Sequence, residues 1–159
     1  MKIQILGKKG DGKTTLAERI SKEYSLPLLH LDLLKSDGRL DPLYKLLKGE
    51  SWIIEGIWRD RPELISQIAE SSEVLIWLDL DLETNYNNRL DRIIKEHGGN
   101  PRHRSLWDSR CREALSAYRY DGAFHREIWE NHKGPKKKCE SQWEWSDIKN
   151  FLNDECRSK

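Results

Sequence analysis

Gly7-Lys8-Lys9-Gly10-Asp11-Gly12-Lys13-Thr14-Thr15 constrains this chain more than any other segment. It carries the spacing G-x-x-x-x-G-K-[ST]. It follows the apolar run Ile3-Gln4-Ile5-Leu6 and precedes Leu16, Ala17, Ile20 and Tyr24, which share one helical face. A strand that turns through glycines into a helix points successive backbone N–H groups at one spot, where the helix dipole favours negative charge. The loop from Gly7 to Thr15 is therefore a candidate phosphate cradle. In that setting the Lys13 ammonium would bridge the β- and γ-phosphates of ATP, and the Thr14 hydroxyl would ligate Mg²⁺.

The rest of the chain alternates short apolar runs with helical patterns. Pro27 to Asp32 reads as a second strand ending on a carboxylate, Trp52-Ile53-Ile54 as a third running into Glu55-Gly56, and Val74 to Leu78 as a fourth ending on Asp79. Between them the pattern predicts a helix opened by Asp41 as cap and Pro42, with Leu43, Tyr44, Leu46 and Leu47 as its buried stripe. Another is opened by Asp60 and Pro62. Beyond Asp79 the pattern predicts helices over Leu82–His97, Ser105–Tyr120 and Ala123–His132, a fifth strand around Lys136–Glu140, and a last helix capped by Ser146. Strands alternating with helices predict a parallel sheet covered on both faces. No repeat or linker interrupts the chain, so residues 1–159 are expected to form one α/β domain, with a helical lid region at about 89–132.

Charge is balanced overall, with Lys+Arg 28 against Asp+Glu 27, but residues 89–138 hold 13 basic and 7 acidic side chains. Aromatic residues are interleaved with them, a composition that suits an anionic ligand and keeps DNA open as a partner. Lys136-Lys137-Lys138 reads most simply as a solvated run. The longest apolar run, Val74 to Leu78, is too short to span a bilayer, so no membrane partner is expected. Cys111, Cys139 and Cys156 are scattered without a C-x-x-C, and the opening Lys2-Ile3-Gln4-Ile5-Leu6 reads as a strand rather than a leader. Cytoplasm is the expected compartment.

Phosphate loops serve many chemistries, and the absence of an N-K-x-D motif weighs against a GTPase. The loop, His30-Leu31-Asp32, Trp52-Ile53-Ile54-Glu55-Gly56 and the strand Val74–Asp79 with an arginine-bearing helix behind it resemble the nucleoside-monophosphate-kinase group of P-loop proteins. Within that group the likeness is to the adenylate-kinase-like topology-modulation proteins. The resemblance covers about residues 1–95. It implies a P-loop three-layer αβα sandwich with a five-stranded parallel sheet in the order 2-3-1-4-5, and ATP and Mg²⁺ as cofactors.

The resemblance also implies roles. Catalysis would fall to Lys13, to Asp32 as base or ligand of a metal-bound water, and to Arg89. Glu55 would hold a metal-bound water, and Arg59 matches the residue that grips an acceptor phosphate. Two departures stand out. Glu55-Gly56-Ile57-Trp58-Arg59 replaces the usual D-G-x-x-R, and the nearest lid arginine pair, Arg89 and Arg92, is spaced by two residues rather than three. Arg102 and Arg104 are therefore rival lid residues. Three functions are open at this point: a kinase of a nucleotide- or nucleoside-like molecule, a kinase of hydroxymethylated pyrimidines in bacteriophage DNA, and a non-catalytic nucleotide-binding regulator. Intact Lys13, Thr14 and Asp32 argue against the last.

Overall fold

Five short strands carry the molecule: β1 (Lys2–Gly7), β2 (Leu28–His30), β3 (Trp52–Glu55), β4 (Val74–Leu78) and β5 (Lys136–Cys139). The computed structural model describes residues 1–56, 58, 60–97 and 122–157. The strands form one sheet in the order β2-β3-β1-β4-β5, and every pairing is parallel. The topology implied by the resemblance is the one observed. Around the sheet lie α1 (Lys13–Tyr24), α2 (Leu31–Asp37), α3 (Asp41–Leu47), α4 (Pro62–Ser71), α5 (Leu82–His97), α6 through residues 122–131, and α7 (Trp145–Arg157).

The sheet is apolar on both faces because parallel strands need crossover helices on each side. Ile3, Ile5, Ile53, Val74 and Ile76 pack under α1 and α7 with Leu16, Ile20, Ile148 and Leu152. Leu6, Trp52, Ile54, Leu75 and Trp77 face the other way, under α2, α3, α4 and α6, with Leu31, Leu43, Ile65 and Ile128. Each loop that leaves a strand's C-terminal end therefore emerges on one rim, where ligands bind in open sheets of this kind. Among the described residues no helix is long and apolar enough to cross a membrane.

Several expected boundaries move. β2 stops at His30, and Asp32 falls in the first turn of α2 instead of ending the strand. The ladder explains this: β3 ends at Glu55, the register partner of His30, so β2 has nothing to pair with further on. Asp41 is the first residue of α3 rather than its cap, and Ser146 lies inside α7 rather than before it. Tyr44 is 43% exposed and leaves the buried stripe to its leucines.

The lysine run does form the fifth strand, and Lys136 and Lys138 have partners within the fold. Lys136 Nζ donates to the carbonyl oxygens of Trp129 (2.8 Å) and His132 (3.3 Å). Lys138 Nζ lies 4.6 Å from the centre of the Trp77 ring and 3.0 Å from Asp79 Oδ2. On an edge strand such lysines cover aromatic surface with their stems and discourage further pairing. The expected helix over 105–120, with Arg102 and Arg104 before it and Arg59 after β3, lies outside the described residues.

The turn before β5 is tightly packed. A Cβ on Gly134 would sit 2.5 Å from the Glu73 carbonyl oxygen and 2.8 Å from His132 Nε2. Gly134→Ala should force backbone to shift and cost about 2 kcal/mol, which corresponds to a melting temperature several degrees lower. Thermal unfolding of the variant checks this, and an unchanged melting temperature would show that the turn can relax freely.

Candidate active site

The phosphate loop leaves β1 in the middle of the sheet. Gly10 (φ 98°) and Gly12 (φ 86°) take left-handed conformations that side chains rarely tolerate, and they set the curl. Gly12 precedes α1 without any side-chain cap, so the helix's first N–H groups are left for an anion. Lys13 Nζ donates to the Lys8 carbonyl oxygen at 3.1 Å and lies folded across the loop. A cleft of about 890 Å³ opens above it. It is lined by Lys9 to Thr15, Asp32 and Glu55, by Asn88, Asp91, Arg92 and Lys95 of α5, and by Trp143 and Trp145.

At the rim of the sheet the ends of β2 and β3 meet the start of α1. Glu55 is 4% exposed, and its Oε1 accepts from the Thr14 hydroxyl at 3.1 Å and lies 2.7 Å from His30 Nδ1. The Thr14 oxygen, its proton committed to Glu55, keeps lone pairs for a cation. Among the described residues no cluster of three or more His, Cys, Asp or Glu forms a protein cage. One hydroxyl and one buried carboxylate are what Mg²⁺ requires when phosphate and water supply its other ligands, so the donor set fits the expected ion. Gly56 brings β3 against α2: its Cβ position lies 3.5 Å from the Leu31 nitrogen and 3.7 Å from that of Asp32. Asp32, exposed at the start of α2, is thereby held on the same cleft as Glu55.

On the other side α5 grips the loop. Asn85, Asn88 and Arg89 share one helical face. Asn85 Nδ2 donates to the Lys9 carbonyl oxygen at 2.9 Å and to Asp11 Oδ1 at 2.5 Å, while Asn88 Nδ2 donates to the Gly10 carbonyl oxygen at 3.1 Å. The Arg89 stem packs on Gly10, where a Cβ would meet its Cγ at 2.5 Å. Arg92, one turn on, lines the cleft itself.

Two loop side chains point inward. Asp11, 1% exposed, accepts the Lys8 backbone N–H at 2.7 Å, and burial pushes its pKa up to about 6 against the pull of Asn85, Lys8 and Lys13. Lys8, 2% exposed, donates to Asp79 Oδ1 at 2.5 Å. It lies beneath the loop and does not line the cleft. Burial raises the Asp79 pKa, but Lys8 and Lys138 outweigh it and hold the carboxylate below its ordinary range.

Asn85, Asn88, Trp143, Trp145 and Arg19 are site residues that sequence reasoning missed. The two asparagines had a signal, since Asn85 stands three residues before Asn88 and four before Arg89. Trp143 had none. Its indole lies 3.3 Å from where a Cβ on Gly12 would be, and the Arg19 guanidinium stacks 4.6 Å over the Trp145 ring.

No protein-family model matches the sequence, and no curated protein does. Solved structures do match. One is a deoxyadenosine kinase from M. mycoides with bound dATP: 16% identity, 96% of this chain and 100% of that chain covered, TM-score 0.59. Another is the YorR protein from Bacillus subtilis in complex with phosphorylated GDP: 17% identity, 98% and 95% covered, TM-score 0.59. A third is a shikimate kinase from Acinetobacter baumannii in complex with shikimate: 13% identity, 98% and 92% covered, TM-score 0.59. The fold is therefore the α/β P-loop kinase fold, shared over nearly the whole chain.

Asp11 makes the loop pH-sensitive. Its raised pKa means that the stability it contributes is complete below pH 3.8 and is lost as pH rises through about 6. His132, whose pKa burial lowers, acts in the opposite sense, its contribution being lost as pH falls below 6.5. The difference between wild type and Asp11→Asn isolates the aspartate. From about pH 4 to pH 7 wild type should lose up to about 3 kcal/mol relative to the variant in denaturant melts. A difference that does not change with pH would mean that Asp11 titrates normally.

Proposed function

We propose that this chain is an ATP- and Mg²⁺-dependent kinase of a nucleoside- or nucleotide-like small molecule, working as one domain in the cytoplasm. The observation that carries the reading is the convergence of Lys13, the Thr14–Glu55 pair and Asp32 on one cleft beside the uncapped start of α1. The neighbours crystallised with dATP and phosphorylated GDP add support for a nucleotide in that cleft.

The loop N–H groups would cradle the triphosphate, and Lys13 would swing from the Lys8 carbonyl oxygen to the β- and γ-oxygens. Thr14 and Glu55 would hold Mg²⁺, which neutralises charge on the transferring group when bound. Asp32 would orient the acceptor hydroxyl and accept its proton as the new O–P bond forms and the bond to the β–γ bridging oxygen breaks. Arg92 would face the phosphates directly, and Arg89 would act beside Gly10. Arg59, Arg102 and Arg104 remain proposed contacts to the acceptor and its phosphate. The tryptophan side of the cleft offers the base a stacking surface.

A polymeric acceptor draws less support. The basic block that pointed to DNA counted Lys136 and Lys138, and both are spent on carbonyl, carboxylate and aromatic partners within the fold.

Lys13→Ala should lower turnover about 10²-fold or more while leaving thermal unfolding unchanged. Asp32→Asn should lower kcat by about 10²–10⁴-fold with little change in nucleotide affinity. Steady-state kinetics across nucleosides and nucleoside monophosphates, with calorimetric titration of ATP, measure both. Normal turnover in Lys13→Ala would remove the kinase reading, and lost nucleotide affinity in Asp32→Asn would move that residue to the cation.

A further inference from the structure

His30 is the last residue of β2 and pairs in register with Glu55, the last residue of β3. Parallel neighbours stand about 4.8 Å apart, so the two side chains meet at the rim. His30 Nδ1 reaches Glu55 Oε1 at 2.7 Å, and the side chains are 24% and 5% exposed. The same oxygen accepts the Thr14 hydroxyl at 3.1 Å. With a carboxylate opposite, Nδ1 carries the proton and donates it, and Oε1 receives two donors from two different elements.

This arrangement decides where the Thr14 lone pairs point. A glutamate carboxylate turns easily about its last torsion, because sp³–sp² rotations have broad minima. The histidine, the shorter of the two contacts, blocks that rotation and keeps Oε1 where the Thr14 proton must find it. The threonine oxygen is then left with its lone pairs toward the cleft. We propose that His30 is a positioning residue of the cation site: it acts through Glu55 to aim Thr14, and what it supplies is one N–H donor at Nδ1. The proposal rests on the kinase reading and deepens it. Because Asp32 follows two residues later, at the start of α2, one short segment places both the group that aims the cation ligand and the carboxylate proposed for the acceptor hydroxyl.

The alternative is that the pair merely ties β2 to β3. Two substitutions separate the two. His30→Asn puts an amide N–H close to where Nδ1 stood, whereas His30→Leu fills the space without a donor; His30→Ala serves if the leucine variant does not fold. The measurement is calorimetric affinity for a non-hydrolysable ATP analogue with Mg²⁺ and again in EDTA. The expected result is that His30→Leu reduces the Mg²⁺-dependent gain in affinity by about tenfold or more, the scale of an outer-shell loss at a metal site. Affinity in EDTA should stay within about twofold of wild type, and His30→Asn should recover most of the gain. An undiminished Mg²⁺ gain in His30→Leu overturns the proposal, as does a His30→Asn variant as impaired as His30→Leu, since packing rather than the donor would then be at fault. Wild-type protein that binds no nucleotide removes the kinase reading itself; wild type that gains affinity from Mg²⁺ keeps that reading and leaves His30 alone on trial.

Discussion

The curl between Gly7 and Lys13 survives because it is gripped from outside and from below. A loop of left-handed glycines has little reason of its own to hold one shape, since the freedom that lets glycine adopt it also lets it leave. Asn85 answers this by donating to two points of the loop with one amide, and Asn88 adds a third contact. From below, Lys8 bonds to Asp79 at the end of β4, and Asp79 in turn holds Lys138 on β5. Loop, α5, β4 and β5 thus form one polar unit around a partly buried ion pair.

That unit also accounts for the strain the loop carries. Asp11 is a buried acid in a loop that carries Lys8 and Lys13, and burial raises its pKa in spite of them. It is tolerated because its two oxygens accept from Lys8 and Asn85, which brace the turn. Local rules are broken most often where function demands it, and the neighbouring structure holds the break in place.

The phosphate loop, the α1 face, β4 and the sheet's parallel character were legible because each is written in local spacing: a glycine–lysine motif, a 3.6-residue period, an unbroken apolar run. Glu55 and Thr14 were assigned separately, and the structure joins them. What escaped is what only the register creates. His30 gains its partner from the β2–β3 ladder, and Trp143 reaches Gly12 from the far end of the chain. The end of β2 was misplaced because nothing in Leu31-Asp32 says that β3 has already run out. The fifth strand was legible, but not the partners of its lysines, which lie on α6 and β4.

The cleft divides its chemistry by element. Asp91, Arg92 and Lys95 line it from α5, which brings a net positive charge, while Asp32 and Glu55 line it from the start of α2 and the end of β3. Such a division suits a reaction in which one partner brings several negative charges and the other a neutral hydroxyl that must lose a proton. In the proposed reaction the cations would attract the triphosphate, the carboxylates would repel it, and Asp32 would accept the proton. In that reaction the acceptor would be chosen by what α2 and α3 present to the carboxylate side. One fold can therefore serve different acceptors, as kinases of deoxyadenosine and of shikimate do.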